Sequence, residues 1–106
     1  MANIEFAYVF SGGISGGRGA FPLSIVKEIA SSEALTGTSG SSSIVAPTSP
    51  GRTHGTPIAR VYSDTALKVR FASSTPSGSS PYAFIPAETT MDFDAVPGSK
   101  LYFEEA

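Results

Sequence analysis

The sequence predicts an all-β chain, a β-sandwich of seven to eight short antiparallel strands, with the jelly roll as one arrangement of that number. Three observations predict it. Apolar residues come in short bursts separated by Gly, Ser, Thr and Pro. Several bursts alternate with a period of two, the period of a strand with one buried face. Turn chemistry falls between them, most plainly at Pro97-Gly98, which supplies the preset φ and the glycine of a type II turn.

Taken in order, Ile4 to Phe10 is rich in β-formers and reads as a strand. Ser11 to Gly19 reads as a glycine-rich loop. The stretch 21–35 fits two patterns. Leu23, Val26, Ile29 and Ala30 lie on one helical face behind Pro22, yet the texture of the whole chain favours extended structure. Residues 36–57 are dominated by Thr, Ser, Gly and Pro and read as an extended loop or arm, pinned at Ile44-Val45. From Pro57 the signal sharpens. Ile58 to Tyr62 is a strand and 63–66 a turn. Leu67, Val69 and Phe71 point inward, with Lys68 and Arg70 outward. Tyr82 to Ile85 is a short strand stopped by Pro86. Met91, Phe93 and Ala95 face in against outward Asp92 and Asp94. Leu101 and Phe103 face in after the Pro97-Gly98 turn. These segments read as a meander of about five strands. If the Lys68/Arg70 strand neighbours the Asp92/Asp94 strand, their outward charges oppose, each pair contributing a few tenths to about 1 kcal/mol.

Length and composition bound the function. With 106 residues, the chain suits one domain, 1–106, with one modest core. The hydrophobic share of 41% suffices for that core. The charged share is 15%, against about 25% for an average soluble domain, which suits a surface held against partners. Net charge is −2 and the cations are scattered, so nothing points to nucleic acid. No apolar run reaches the roughly 18 residues of a membrane helix. Met1 to Phe10 lacks the basic start of a secretory leader. Cysteine is absent, which removes thiol catalysis and thiolate metal sites.

Each candidate motif lacks a necessary partner. Gly12 to Gly17 followed by Arg18 approximates a phosphate loop, but Lys and Ser/Thr are missing where the phosphates and magnesium need them. Ser24-Ile25-Val26-Lys27 matches the S-x-x-K of serine acyl-enzymes without the accompanying motifs. His54 is the single histidine, too few for a histidine metal site and without a specific triad. Asp92 and Asp94 share a strand face, and with Asp64, Glu88, Glu104 and Glu105 they read as solvated carboxylates rather than a calcium or glycosidase site. The phenylalanines Phe6, Phe10, Phe21, Phe71, Phe84, Phe93 and Phe103 read mostly as core. Tyr8, Tyr62, Tyr82 and Tyr102 read as contact-surface candidates. No catalytic, cofactor-binding or metal-ligating residue is expected, and no cofactor.

The segments Ala59-Arg60-Val61-Tyr62-Ser63-Asp64-Thr65-Ala66, Val69-Arg70-Phe71, Phe84-Ile85-Pro86-Ala87-Glu88-Thr89-Thr90 and Phe93-Asp94-Ala95-Val96-Pro97-Gly98-Ser99-Lys100-Leu101 resemble small accessory proteins of tailed bacteriophages, over roughly 57–105. The resemblance implies a virion β-sandwich, a decoration or cement protein that binds capsid subunits. It also implies an oligomer on the particle, assembled in the host cytoplasm and found in the virion, without enzymatic activity, nucleic-acid partner or membrane. Under this reading Ser11 to Gly19 and 36–57 supply arms across a subunit boundary, and deletion of 36–57 abolishes binding without unfolding the domain. The alternative is a carbohydrate- or receptor-binding β module of a tail or fibre.

Overall fold

A computed structural model describes residues 1–12, 25–47 and 56–106. The described residues form eight strands: β1 (Ala2–Gly12), β2 (Ile25–Gly37), β3 (Ser39–Ser41), β4 (Thr56–Ser63), β5 (Leu67–Ala72), β6 (Ala83–Ile85), β7 (Thr89–Asp94) and β8 (Lys100–Glu105). They form two antiparallel four-stranded sheets. Sheet A has the order β2-β1-β4-β7 and sheet B the order β3-β8-β5-β6. The all-β expectation holds, with the strand number at its upper value.

The alternation read from the sequence builds the core. Ile4, Phe6 and Tyr8 of β1 and Ala59 and Val61 of β4 come from sheet A. Leu67 and Val69 of β5, Ile85 of β6, and Leu101 and Phe103 of β8 come from sheet B, and all are buried together. Phe71 of sheet B joins Phe6 and Phe93 of sheet A, with ring centroids 6.4 and 5.1 Å away. The Tyr8 hydroxyl donates to the Ser99 carbonyl at 2.8 Å, so the ring's one polar atom is satisfied inside the core.

Turn residues sit where their backbone is needed. Gly98 has φ +83° and Ser99 N donates to Val96 O at 3.0 Å, closing the expected Pro97-Gly98 turn. Gly37, with φ +140°, marks the corner where the chain leaves β2 in sheet A and enters β3 in sheet B.

The structure corrects several expectations. The second half is not a meander: β5 and β6 are consecutive partners, whereas β4 and β7 lie in sheet A and β5, β6 and β8 in sheet B. The strand carrying Lys68 and Arg70 and the strand carrying Asp92 and Asp94 are therefore in different sheets, and the expected charge pairing between them does not exist. Asp92 instead faces Arg60 of β4. The helical alternative for 21–35 gives way to β2 over its described part. The arm shrinks too. Residues 36 and 37 belong to β2, 39–41 form β3, and 42–47 are bonded to the β8 side through Ser42 N to Leu101 O (2.8 Å) and Ala46 N to Ser99 O (2.9 Å). The pin is Ile44 with the fully buried Ala46, while Val45 is exposed. Residues 48–55, with His54 and Arg52, lie outside the described residues, as do 13–24 with Arg18, Phe21 and Ser24.

Candidate functional site

Burial of alternate residues leaves each sheet an outward face. On sheet A that face carries Asn3, Glu5 and Ala7 from β1, Ser32 and Ala34 from β2, Arg60 and Tyr62 from β4, and Asp92 and Asp94 from β7. Arg60 Nε and Nη2 donate to Asp92 Oδ1 and Oδ2 at 2.8 and 2.9 Å, a bidentate pair between directly opposite residues. The hydrogen bond to Asp92 raises the Arg60 guanidinium further above its ordinary value. Beside this pair lies a shallow hollow lined by Glu5, Ala7, Ser32, Ala34, Arg60 and Tyr62. It is hollow because small side chains occupy β1 and β2 there.

The outward face of sheet B carries Lys68 and Arg70 from β5, Phe84 from β6, and Lys100, Tyr102 and Glu104 from β8. Arg70 is the organiser. Its side chain is only 12% exposed and donates from Nη1 to Glu104 Oε1 (2.9 Å), from Nε to Ser80 O (3.0 Å) and from Nη2 to Gly78 O (3.3 Å). It thereby ties the segment 73–82 down over the sheet. The Arg70 hydrogen bond holds the Glu104 carboxyl below its ordinary value. The Tyr82 ring packs against both cations, 5.0 Å from Lys68 Nζ and 5.4 Å from Arg70 Cζ. Between the tied segment and β3 runs an open groove lined by Ser39, Ser41, Arg70, Thr75, Ser77 and Tyr102, among others.

The two ends of the sandwich are closed by different bonds, and the end with Asn3 and Asp64 also exposes Met1. At one end the 42–47 segment and the 96–99 turn are stapled by Ala46 N to Ser99 O and Gly98 N to Ala46 O (3.1 Å), and Val45, Val96 and Pro97 stand exposed on the staple. At the other end, Asn3 donates from N and Nδ2 to Asp64 Oδ1 and Oδ2 (2.9 and 2.8 Å), and Glu88 N donates to Ser63 O. These bonds from Asn3 lower the Asp64 pKa.

Two surface assignments need correction. Tyr8, expected at a contact surface, is fully buried because it shares the inward parity of Ile4 and Phe6. Phe84, grouped with the core phenylalanines, is half exposed because Ala83 and Ile85 take the inward positions of β6. That parity was readable from Ile85. The hollow, the Arg70 tie and the apolar end could not be read, since each joins residues brought together by sheet register or loop closure. Among the described residues no three of His, Asp and Glu cluster in a way that would hold a metal ion. Comparison with protein-family models, curated proteins and solved structures finds no match for this chain.

Proposed function

We propose that the protein is a structural component of a tailed-phage virion, decorating or stabilising the capsid by binding its subunits. The observation that carries this reading is the apolar staple at one end of the sandwich. That end presents Val45, Val96 and Pro97 on two hydrogen-bonded loops, whereas the opposite end mixes Met1 with Asn3, Asp64 and Glu88. A small domain with an exposed apolar patch held at one end sits on a surface in one orientation, as a decorating protein must. Two four-stranded sheets with most links passing between them also suit a jelly-roll winding, an architecture shared by many capsid and lectin domains. The low charged fraction and the phage-like segments of 57–105 add support.

Mass spectrometry of purified virions tests the reading, followed by co-sedimentation of the purified chain with particles stripped of it. Val45→Ser with Val96→Ser is expected to reduce co-sedimentation at least tenfold, about 1.4 kcal/mol, while thermal melting is unchanged. Absence of the chain from virions overturns the proposal.

One observation favours a second reading, a carbohydrate-binding module. The groove beside β3 combines the hydroxyls of Ser39, Ser41, Thr75 and Ser77 with the Tyr102 ring and the Arg70–Glu104 pair. These groups suit sugar hydroxyls and the apolar face of a pyranose. A glycan array decides it, with Tyr102→Ala as the control that must remove any signal.

A further inference from the structure

We propose that the two sheet faces are complementary to each other, so that the sheet B face of one copy docks head-to-tail onto the sheet A face of a second copy. Three observations carry this. The first is residual charge. Arg60 is matched by Asp92 within face A, and Arg70 by Glu104 within face B. Among the described side chains, subtracting these pairs leaves face A with the carboxylates Glu5 and Asp94, and face B with the ammonium groups Lys68 and Lys100; none of the four forms an ion pair among the described residues. Each face repels a copy of itself and attracts the other.

The second observation is shape. Face B projects Phe84 and Tyr82, each 51% exposed, and face A holds the hollow floored by Ala7 and Ala34. The third is register. Phe84 lies directly opposite Lys68 across β5 and β6, and Ala34 lies directly opposite Glu5 across β1 and β2. Directly opposite residues have Cβ atoms about 4.5–5.5 Å apart. Knob and cation on one face thus have the same spacing as hole and anion on the other. A single approach seats Phe84 over Ala34 and brings Lys68 to Glu5. The contact is heterologous, so it closes into a ring or continues as a chain according to the rotation between copies. It uses the sheet faces and leaves the apolar end free. It is independent of the virion reading and is tested without particles.

Sedimentation velocity on the purified chain, up to about 1 mM, is the first measurement. Association is expected to strengthen with concentration and weaken with added salt. Lys68→Glu and Glu5→Lys should each weaken it roughly three- to tenfold. Mixing the two single variants should restore it, because the carboxylate introduced on face B of one variant then meets the ammonium introduced on face A of the other. Replacing Phe84 with the photo-crosslinker p-benzoylphenylalanine keeps the ring and the wild-type charges. Irradiation should attach it to residues 5–7 or 32–34 of another copy. A monomer at every concentration, failure of the mixture to restore association, or crosslinks to face B residues overturns the proposal. Circular dichroism melts confirm that the variants fold.

Discussion

Tyr8 shows how one polar atom is handled in this core. Its ring is edge-on to Phe6 at 4.8 Å, and its hydroxyl reaches the Ser99 carbonyl across the sandwich. Tyr8→Phe keeps the ring and removes one of the two hydrogen bonds to the Ser99 carbonyl, which still accepts from Ala46 N, so denaturant unfolding should show a loss of about 0.5–1.5 kcal/mol. Burial raises the Tyr8 phenol above its ordinary 10.0. A group with a raised folded pKa stabilises fully below its unfolded pKa and loses that contribution as pH rises through the folded value. Unfolding followed from neutral pH upward should therefore show an alkaline loss, beginning near the ordinary phenol value of 10.0, that Tyr8→Phe lacks. Asp64 behaves in the opposite sense. Its pKa is lowered from 3.8, first by the Asn3 backbone hydrogen bond, so its contribution is present above 3.8 and vanishes as pH falls through the lowered folded value. Asp64→Asn should be less stable than the natural chain at neutral pH, and the two unfolding curves should converge in strong acid. Neither partnership could be read from the residues, because Tyr8 meets position 99 and Asp64 meets position 3.

Strands and turns were the most legible level. The inward sets Leu67/Val69, Met91/Phe93 and Leu101/Phe103 follow from alternation alone, and all are buried or packed against the core. The Pro97-Gly98 turn follows from its two residues. A Cβ at Gly98 meets nothing within 4 Å, yet φ is +83°, so Gly98→Ala carries a purely conformational penalty of about 1–2 kcal/mol in denaturant titration. Gly40 differs: an added Cβ would stand 3.2 Å from the Phe103 ring, and the ring must shift to admit it. Edge protection became visible only with the sheet order. In β2, Ala30 and Lys27 are the extra residues at two register shifts opposite β1, which disturb the exposed edge. β3 and β6 have three residues each, and Pro81 and Pro86 bracket β6. β7 carries Asp92 and Asp94. Growth by strand addition is thus discouraged, and contacts with other molecules fall to faces and ends.

At the scale of the molecule, the two sheets share one cluster of buried side chains, so damage to either sheet is felt by both. Leu101, fully buried in β8, illustrates this: Leu101→Ala should cost roughly 2–5 kcal/mol and melt the described fold as a unit, seen as coincident circular dichroism and tyrosine fluorescence transitions. The same integration changes the expectation for 36–57. Deleting all of it removes β3, the buried Ser42 and Ala46, and the ends of β2 and β4. It should unfold the protein, so it cannot test an arm; the Val45 and Val96 substitutions address the same end without touching the core.

The sequence by itself determined the fold class, most strand positions, the inward residues of the second half and the absence of cysteine chemistry. These are local properties, set by a period of two and by turn residues acting on their neighbours. Only the tertiary structure decided which strands share a sheet, that Arg60 meets Asp92 and Arg70 meets Glu104, that Tyr8 is core and Phe84 surface, and that Val45 and Val96 stand on one staple. Alternation specifies which side of a strand is buried and says nothing of which strand lies beside it. Partner choice depends on packing both sheets around one core, a condition on the whole chain rather than on any segment of it.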